Sequence, residues 1–495
     1  MKKEIKIYNS LTGEKEVFKP INKGNIGVYV CGPTVYSEVH LGNCRTFVFF
    51  DTMVRYFNFL GYKVRYVRNI TDVGHLENDA DEGEDKISKK ARLEQLEPME
   101  IAQKYSNDFH NVMNSFNAIP PNIEPTASGH IIEQINMIEK IIENGFGYVA
   151  NNSVYFNVAK YIDEGYNYGE LSGRQVDDLI SGSRDLDGQS DKKSPNDFAL
   201  WKNADSSHIM KWNSPWGKGF PGWHLECSAM SHKYLGSNFD IHGGGMDLKF
   251  PHHECEIAQG VGAGATKPVN YWMHGNMLTL NGKRMSKTTG NTILPAELFS
   301  GDSDLLNKAF SPAVVRFFMM QSHYRGVLDF SNEALTASEK GFRKLMEALN
   351  IIKRYDYSQK NIDSTISSKI KSICSACYTN MNDDFNTPKV VANLFELVSI
   401  VNSLNQNNSL DTVDSETFAF LLKTMHGFVE NVLGLEFTVN DSAELTEDLI
   451  KMVLELRTVA KTNKDYTMSD KIRDKLTSLG VTIKDGKSGT TFDIK

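Results

Sequence analysis

The sequence predicts an α/β fold followed by a helical region, and two observations indicate this division. Thirteen of the 14 prolines lie at or before Pro312, and only six of the 37 glycines follow Phe330. Strand-like and helix-like apolar spacings alternate before about residue 310, whereas amphipathic helical spacing dominates after it. We therefore expect a mixed α/β first part and a mostly helical second part.

A strand–helix–strand unit near the N-terminus predicts that the sheet is parallel. Alternation around Val28 and Val30 indicates a strand, and helical apolar spacing predicts a helix over 46–60 that stops at Gly61. Strand alternation returns over 63–70. Parallel sheets of this kind bind ligands at the carboxyl ends of their strands, which is where we expect a site.

The second part predicts at least two long helices and a small C-terminal element. Apolar spacing predicts a helix over 334–355, and Asn386 before Thr387-Pro388 begins another. The last 45 residues hold ten Lys and Arg against six Asp and Glu, a local charge of +4. Turn residues from Gly480 onward predict a small strand pair.

Composition excludes several classes of protein. The 495 residues predict about three domains. A balance of 54 Lys and Arg against 62 Asp and Glu excludes a generally basic nucleic-acid coat, although a local basic patch stays compatible. Six cysteines are too few for a disulfide scaffold. With no run of about 18 apolar residues and no signal-peptide core, we expect a cytoplasmic protein without membrane contact.

Two segments carry residues suited to binding phosphate. His40 and Asn43 lie between a predicted strand and a predicted helix, where backbone N–H groups favour anions, and Gly42 permits close approach. Lys283-Arg284-Met-Ser-Lys287-Thr288 places cations beside hydroxyls, which suits a polyphosphate. Taken singly, each segment is better explained in a simpler way: the first as an ordinary turn with a surface histidine, the second as a solvated basic turn.

A third set of residues suits a metal. His252 and Glu256 are four apart and share one face of a helix. With Cys31 and Cys227 they make two thiolates, one imidazole and one carboxylate, a possible tetrahedral zinc set. The competing interpretation is a buried cysteine and a histidine–glutamate pair on a helix surface.

Together these segments resemble the cysteinyl-tRNA synthetases, a family of class I aminoacyl-tRNA synthetases. His40-Leu-Gly-Asn43 is similar to the family's HIGH motif, and Arg284-Met-Ser-Lys287-Thr288 is similar to its KMSKS loop. Other family-like stretches run over 68–72, 220–230, 239–248, 250–254 and 383–388. The resemblance covers essentially the whole chain in order.

The resemblance implies a fold and a domain order. It implies a Rossmann-like nucleotide-binding catalytic domain of parallel strands that an insertion interrupts, followed by a helical bundle and a small anticodon-binding domain. The implied segments are 1–119 and 221–319 for the two catalytic halves, 120–220 for the insertion, 320–435 for the bundle and 436–495 for anticodon recognition. The family is usually monomeric, so a monomer is expected.

The resemblance also implies an activity: ATP-dependent activation of L-cysteine, then transfer to tRNA(Cys), with one zinc ion per chain selecting the substrate thiolate. The implied zinc ligands are Cys31, Cys227, His252 and Glu256. The implied contacts to substrate cysteine are Thr34, Thr71, Trp223, His224 and Asp247. ATP is expected to bind together with Mg²⁺. The implied contacts to ATP are His40, Gly42, Asn43, Gly243, Gly244, Gly245 and Lys287. The implied catalytic residues are His40, Asn43, Arg284 and Lys287.

One departure from the family pattern keeps alternatives open. Asn43 stands where the motif has its second histidine, and asparagine keeps an N–H donor but carries no charge. A tRNA-binding regulator without catalysis would explain Asn43, although the zinc set and Lys287 argue against it. A ligase that joins activated cysteine to an amino sugar would share the motifs, but it has no use for the roughly 175 residues after residue 320.

Overall fold

The computed structural model describes residues 4–73, 86–174, 191–205, 208–285, 291–436, 439–486 and 489–494. The chain forms two compact units, residues 1–436 and 437–495, each described here by itself. Among the described residues, no helix combines the length and hydrophobicity needed to cross a bilayer.

The described elements are numbered here in chain order. The strands are β1 Lys6–Asn9, β2 Glu14–Val17, β3 Asn25–Val30, β4 Lys63–Arg68, β5 Gly147–Ala150, β6 Ser153–Phe156, β7 Phe198–Asn203, β8 Trp212–Ser214, β9 Gly217–Pro221, β10 Phe239–Gly245, β11 Val269–Gly275, β12 Leu278–Leu280, β13 Lys283–Arg284, β14 Leu328–Phe330, β15 Val481–Gly486 and β16 Gly489–Ile494. The helices are α1 Leu41–Phe59, α2 Lys86–Glu94, α3 Pro98–Ser115, α4 Ile131–Glu143, α5 Val158–Asp163, α6 Trp223–Leu235, α7 His252–Gly262, α8 Pro295–Ser300, α9 Pro312–Met320, α10 Asn332–Arg354, α11 Ser364–Met381, α12 Thr387–Gln406, α13 Ser415–His426, α14 Val439–Thr462 and α15 Tyr466–Ser478.

A parallel sheet of order β11-β10-β3-β4 lies at the centre of the first unit. In its register Val28 pairs with Ile241 on one side and with Tyr66 on the other. The inner strands are buried along most of their length, as expected for strands covered on both faces. This sheet and the helices after Pro312 confirm the predicted α/β fold with a helical second part.

Helix α1 begins at Leu41, five residues before the predicted start at Thr46. The backbone N–H of Asn43 donates to Nδ1 of His40, which therefore caps the helix. Gly42 and Asn43 have low helix propensity and are not apolar, so the apolar spacing did not predict this first turn. Because the helix begins at Leu41, His40 and Asn43 lie at its very N-terminus.

An antiparallel sheet of order β5-β6-β7-β9-β8 fills much of the predicted insertion. Phe146, Phe156 and Phe198 stack through its core, with neighbouring ring centroids 6.2 and 4.9 Å apart. The same core includes Leu225 of α6 and Cys255 of α7. The sheet therefore supports the two helices that follow it.

Helices α9 to α13 continue the apolar core of the parallel sheet, and a buried ion pair joins them to α1. The guanidinium of Arg316 donates to the carboxylate of Asp51 and to the carbonyls of Phe116 and Leu433, at 2.8 and 2.6 Å. Both charged side chains are almost fully buried. This pair fixes α9, α1 and the end of the first unit together.

The second unit consists of α14, α15 and the hairpin of β15 and β16. Ile450, Leu454, Leu476 and Val481 form its small core. The strand pair predicted after Gly480 is present. The segment boundaries drawn from the sequence stay predictions.

Candidate active site

A cleft of about 690 Å³ opens at the carboxyl ends of the parallel strands. Cys31 follows β3, Asn69 and Thr71 follow β4, and Gly245 ends β10. These residues and the N-terminus of α1 line the cleft. This is the edge at which parallel sheets bind ligands.

Cys31, Cys227, His252 and Glu256 meet at the buried end of the cleft. The two sulfurs lie 3.5 Å apart, and the Cys31 sulfur lies 3.7 Å from Oε1 of Glu256. Nε2 of His252 is 3.2 Å from the same carboxylate oxygen. All four ligand atoms lie within 4.8 Å of one another. Strand β3, helix α6 and one face of α7 therefore bring together residues that lie up to 225 positions apart.

The chemistry of this donor set fits a zinc ion. Burial, with Cys227 and Glu256 nearby, raises the pKa of the Cys31 thiol well above its usual value. Two thiols and a carboxylate buried side by side are costly to ionise unless a cation compensates them. One imidazole, two sulfurs and one oxygen match the ligands and the coordination number that zinc takes.

Other imidazoles surround the four donors. Nε2 of His242 lies 2.8 Å from Oε2 of Glu256, and Nε2 of His253 lies 3.3 Å from the Cys31 sulfur. Cys31, His242, His253 and Glu256 form a second cluster of possible ligands that shares two members with the first. Burial lowers the pKa of His253 well below its usual value, so this imidazole is neutral at physiological pH.

His274 extends this network away from the cleft. Its Nε2 lies 2.8 Å from Nδ1 of His253, and its Nδ1 lies 2.8 Å from Oγ of Ser10. Burial lowers the pKa of His274 to about 3. A chain of this kind orients the imidazole beside the donor set.

Four of the five predicted contacts to substrate cysteine line the cleft: Thr34, Thr71, Trp223 and Asp247. The backbones of Thr34 and Thr71 form a parallel bridge, and the ring centroid of Trp223 lies 4.5 Å from that of His252. The fifth, His224, is not among the described residues that line the cleft, but its Nδ1 lies 3.0 Å from Nδ1 of His252.

Asn69 is a residue of this region that sequence reasoning missed. Its Oδ1 accepts the N–H of Gly32 at 2.8 Å and lies 3.6 Å from the Cys227 sulfur, while its Nδ2 donates to Oγ1 of Thr71 at 3.1 Å. A Cβ at Gly32 would lie 1.6 Å from the carbonyl oxygen of Asn69. The sequence feature that could have identified Asn69 is its position directly after β4, where a parallel strand ends at the site.

The other end of the cleft carries the predicted phosphate contacts. His40, Gly42 and the exposed Asn43 line it at the first turn of α1, whose N–H groups favour an anion. Lys287 lies outside the described residues, as does the side chain of Arg284.

The three glycines at the end of β10 have packing reasons of their own. A Cβ at Gly243 would lie 2.1 Å from the ring of Phe50, and one at Gly244 would lie 2.8 Å from Cδ1 of Leu248. Of the three, Gly245 is the one that lines the cleft. Side chains at 243 and 244 would displace the core beneath the cleft.

Comparisons with protein families match most of the chain. A model described as the tRNA synthetases class I (C) catalytic domain matches residues 17–340, and one described as a DALR domain matches residues 376–438. The cysteine–tRNA ligase of Bacteroides fragilis is 52% identical over 99% of both chains, and that of Bacteroides thetaiotaomicron is 53% identical over 99% of both. The cysteine–tRNA ligase of Chlorobaculum tepidum is 47% identical over 99% of both.

Solved structures agree on the fold. Mycobacterium tuberculosis methionyl-tRNA synthetase in complex with methionyl-adenylate superposes with a TM-score of 0.58 at 13% identity, over 82% of this chain and 89% of that one. A leucyl-tRNA synthetase from Agrobacterium radiobacter gives 0.59 at 10% identity, over 84% and 85%. At such low identity the similarity concerns the fold alone.

Proposed function

This chain belongs to the class I cysteinyl-tRNA synthetase family, and from that premise we propose that its cleft activates L-cysteine with ATP and transfers the cysteinyl group to tRNA(Cys). One observation of the structure carries the proposal. The buried donor set of Cys31, Cys227, His252 and Glu256 opens into the same cleft as the N-terminus of α1. In this proposal a site for a sulfur-preferring metal therefore faces a site for phosphate.

The donor set supplies the selectivity of the proposed reaction. A zinc ion held by it would prefer the sulfur of cysteine to the hydroxyl of serine and would stabilise the thiolate. Trp223 lies beside His252 and would cover the substrate side chain. Thr34, Thr71 and Asp247 would receive the amino and carboxylate groups, which leaves the substrate carboxylate directed along the cleft.

The phosphate end performs the activation. A carboxylate oxygen of cysteine attacks the α-phosphorus of ATP, the bond to the β-phosphate breaks, and pyrophosphate leaves with the electron pair. Because Nδ1 of His40 accepts the N–H of Asn43, the proton of the neutral imidazole lies on Nε2, which can donate to a phosphate oxygen. Arg284 and Lys287 would neutralise the leaving pyrophosphate.

The second step uses the acceptor. A terminal hydroxyl of tRNA attacks the carbonyl carbon of the adenylate, and AMP leaves. No side chain needs to form a bond to either substrate, so positioning and charge stabilisation supply the rate. Magnesium accompanying ATP, a monomeric chain and a cytoplasmic location complete the proposal.

Amino-acid-dependent ATP–pyrophosphate exchange tests this proposal. We expect exchange with cysteine and none with serine, and we expect tRNA to release AMP from the cysteine reaction. Cysteine-dependent exchange with transfer only to an amino sugar would contradict the proposed acceptor. Folded, zinc-loaded protein that shows no exchange would contradict the enzymatic proposal altogether.

Replacement of Asn43 by alanine tests the phosphate end. The exposed Asn43 amide would lose about one hydrogen bond to ATP, worth about 1 kcal/mol, so kcat/KM for ATP should fall about fivefold. The measurement is pyrophosphate exchange at varied ATP. Asn58→Ala, an exposed asparagine in the last turn of the same helix, is the matched control and should behave as wild type. Unchanged exchange in Asn43→Ala would remove this residue from the site.

A further inference from the structure

The carboxylate of Asp384 lies at a joint between the helical region and the parallel sheet. It is fully buried, and it accepts the N–H of Tyr8 at 2.9 Å, the hydroxyl of Tyr324 at 2.7 Å and Nε of Arg325 at 2.8 Å. Its backbone N–H donates to the carbonyl of Lys6 at 2.9 Å. One side chain therefore connects β1, the turn after α9 and the residues that begin α12.

The backbone at this joint is held in an uncommon conformation. Asp384 has φ of 62° and Phe385 has φ of 50°, so two consecutive residues other than glycine occupy the left-handed region. Such conformations persist where surrounding contacts determine them. Here the three hydrogen bonds to the Asp384 carboxylate are the contacts that hold this left-handed conformation.

The turn at residues 323–326, which Asp384 contacts through Tyr324 and Arg325, also supports one wall of the cleft. The N–H of Asn276 donates to the carbonyl of Tyr324 at 2.7 Å, and Nδ2 of Asn276 donates to the carbonyl of Arg325 at 2.7 Å. Asn276 and Met277 line the cleft and lead through β12 to β13, three residues before Lys287. The position of this wall therefore depends on the turn 323–326.

The same turn holds the N-terminus of α1. Buried Arg45 donates to the carbonyls of His323 and Gly326 at 3.1 and 2.6 Å, and to those of Asn276 and Met277 at 3.0 and 2.5 Å. Arg45 follows Asn43 by two residues, in the second turn of the helix whose first turn lines the phosphate end. The four donor residues lie after β3 and on α6 and α7, and none of them makes any of these hydrogen bonds, although their support through His274 and Ser10 extends to β11 and β1.

We propose that Asp384 is a positioning residue for ATP: through Arg325 and the turn 323–326 it sets the wall at Asn276–Met277 and the N-terminus of α1. The inference rests on the proposed function and deepens it, since it assigns to the helical region a share in adenylate formation. Asp384 touches neither substrate. Its loss should therefore alter ATP use and leave the recognition of cysteine unchanged.

Asp384→Asn keeps the shape of the side chain and removes the charge that faces Arg325. We expect kcat of cysteine-dependent exchange to fall about ten- to a hundredfold, because small displacements of positioning groups are that costly. The KM for ATP should rise, whereas the KM for cysteine and the zinc content should stay within about twofold, a split that general destabilisation would not produce.

Two further variants separate this role from folding. Asp383→Asn is the matched control, because that side chain is 40% exposed and pairs with Lys15 at the surface. Arg325→Gln should reproduce the effect of Asp384→Asn, since it removes the other partner of the same ion pair at a side chain that is 32% exposed. The double variant should be no worse than either single one, because both act through one contact.

Hydrogen exchange of backbone amides gives a readout that needs no activity. Peptides over 275–284 should exchange faster in Asp384→Asn than in wild type or Asp383→Asn. The proposal is overturned if protection there is unchanged, if both KM values shift together, or if Asp383→Asn has the same effect. If wild type shows no pyrophosphate exchange, the proposed function fails, and the exchange of 275–284 alone decides whether Asp384 holds this wall.

Discussion

Replacement of Cys227 by serine is expected to remove zinc and to reduce cysteine-dependent pyrophosphate exchange by more than about a hundredfold. Mutation of a residue that merely orients a metal ligand lowers metal affinity or activity about ten- to a hundredfold. Mutation of a ligand itself should therefore lower them further. Serine at 227 offers a hard oxygen that ionises poorly and is a weak zinc ligand. Metal content of the purified protein and exchange rates with cysteine measure both effects.

Cys255→Ser is the matched control for this experiment. Cys255 is also a buried thiol and lies on α7 beside Glu256, but its sulfur contacts the hydroxyl of Tyr168 at 3.4 Å and belongs to neither donor cluster. It should keep one zinc per chain and wild-type exchange. Equal losses in the two variants, or stoichiometric zinc in Cys227→Ser, would contradict the assignment of the donor set.

Replacement of Arg316 by methionine is expected to lower the free energy of unfolding by about 3 to 5 kcal/mol. Breaking a buried ion pair from one side usually costs this much, because buried polar groups lose their partner. Asp51 would keep Arg55 at 2.9 Å and the N–H of Ile119 at 2.7 Å, but the carbonyls of Phe116 and Leu433 would lose their donor. Urea denaturation measures the difference.

Arg343→Met provides the comparison for a pair on the surface. Arg343 is 66% exposed and lies 3.4 Å from Glu339 four residues before it, so its loss should cost less than about 1 kcal/mol. If the two arginine variants unfold at the same urea concentration, the buried pair does not stabilise the joint between α1 and α9.

The predicted fold came from local patterns, and the corrections came from contacts that such patterns do not contain. Apolar spacing and capping residues located α10 and α12 closely, because both signals lie within one turn of the helix ends. The start of α1 was wrong because a histidine caps it and glycine and asparagine form its first turn. Apolar spacing did not predict the sheet of the insertion, because strands such as β6 have only four residues. Their partners are also distant in sequence: Phe156 pairs with Phe198, more than 40 residues away.

The donor set shows the same limit. Spacing alone related only His252 to Glu256, on one helical face; Cys31 and Cys227 were added because two thiolates complete a tetrahedral donor set, and the resemblance to a family supported that grouping. The structure places the four together, but the supporting chain from His253 through His274 to Ser10 spans 264 positions of sequence. No periodicity connects residues so far apart, and Asn69 likewise acquires its role only when β3 and β4 lie side by side.

The long separation within the donor set has a consequence for biosynthesis. Glu256 is made 225 residues after Cys31, which at about 5 to 20 residues per second corresponds to roughly 11 to 45 s on the ribosome. Strand β3 also lacks its partner β10, which begins at Phe239, for most of that time. Until more than half of the chain has been translated, the Cys31 thiol lacks the complete set of metal partners, and β3 is paired with β4 but not yet covered by β10, so the interval before α7 emerges is when this site is most open to oxidants and foreign metal ions.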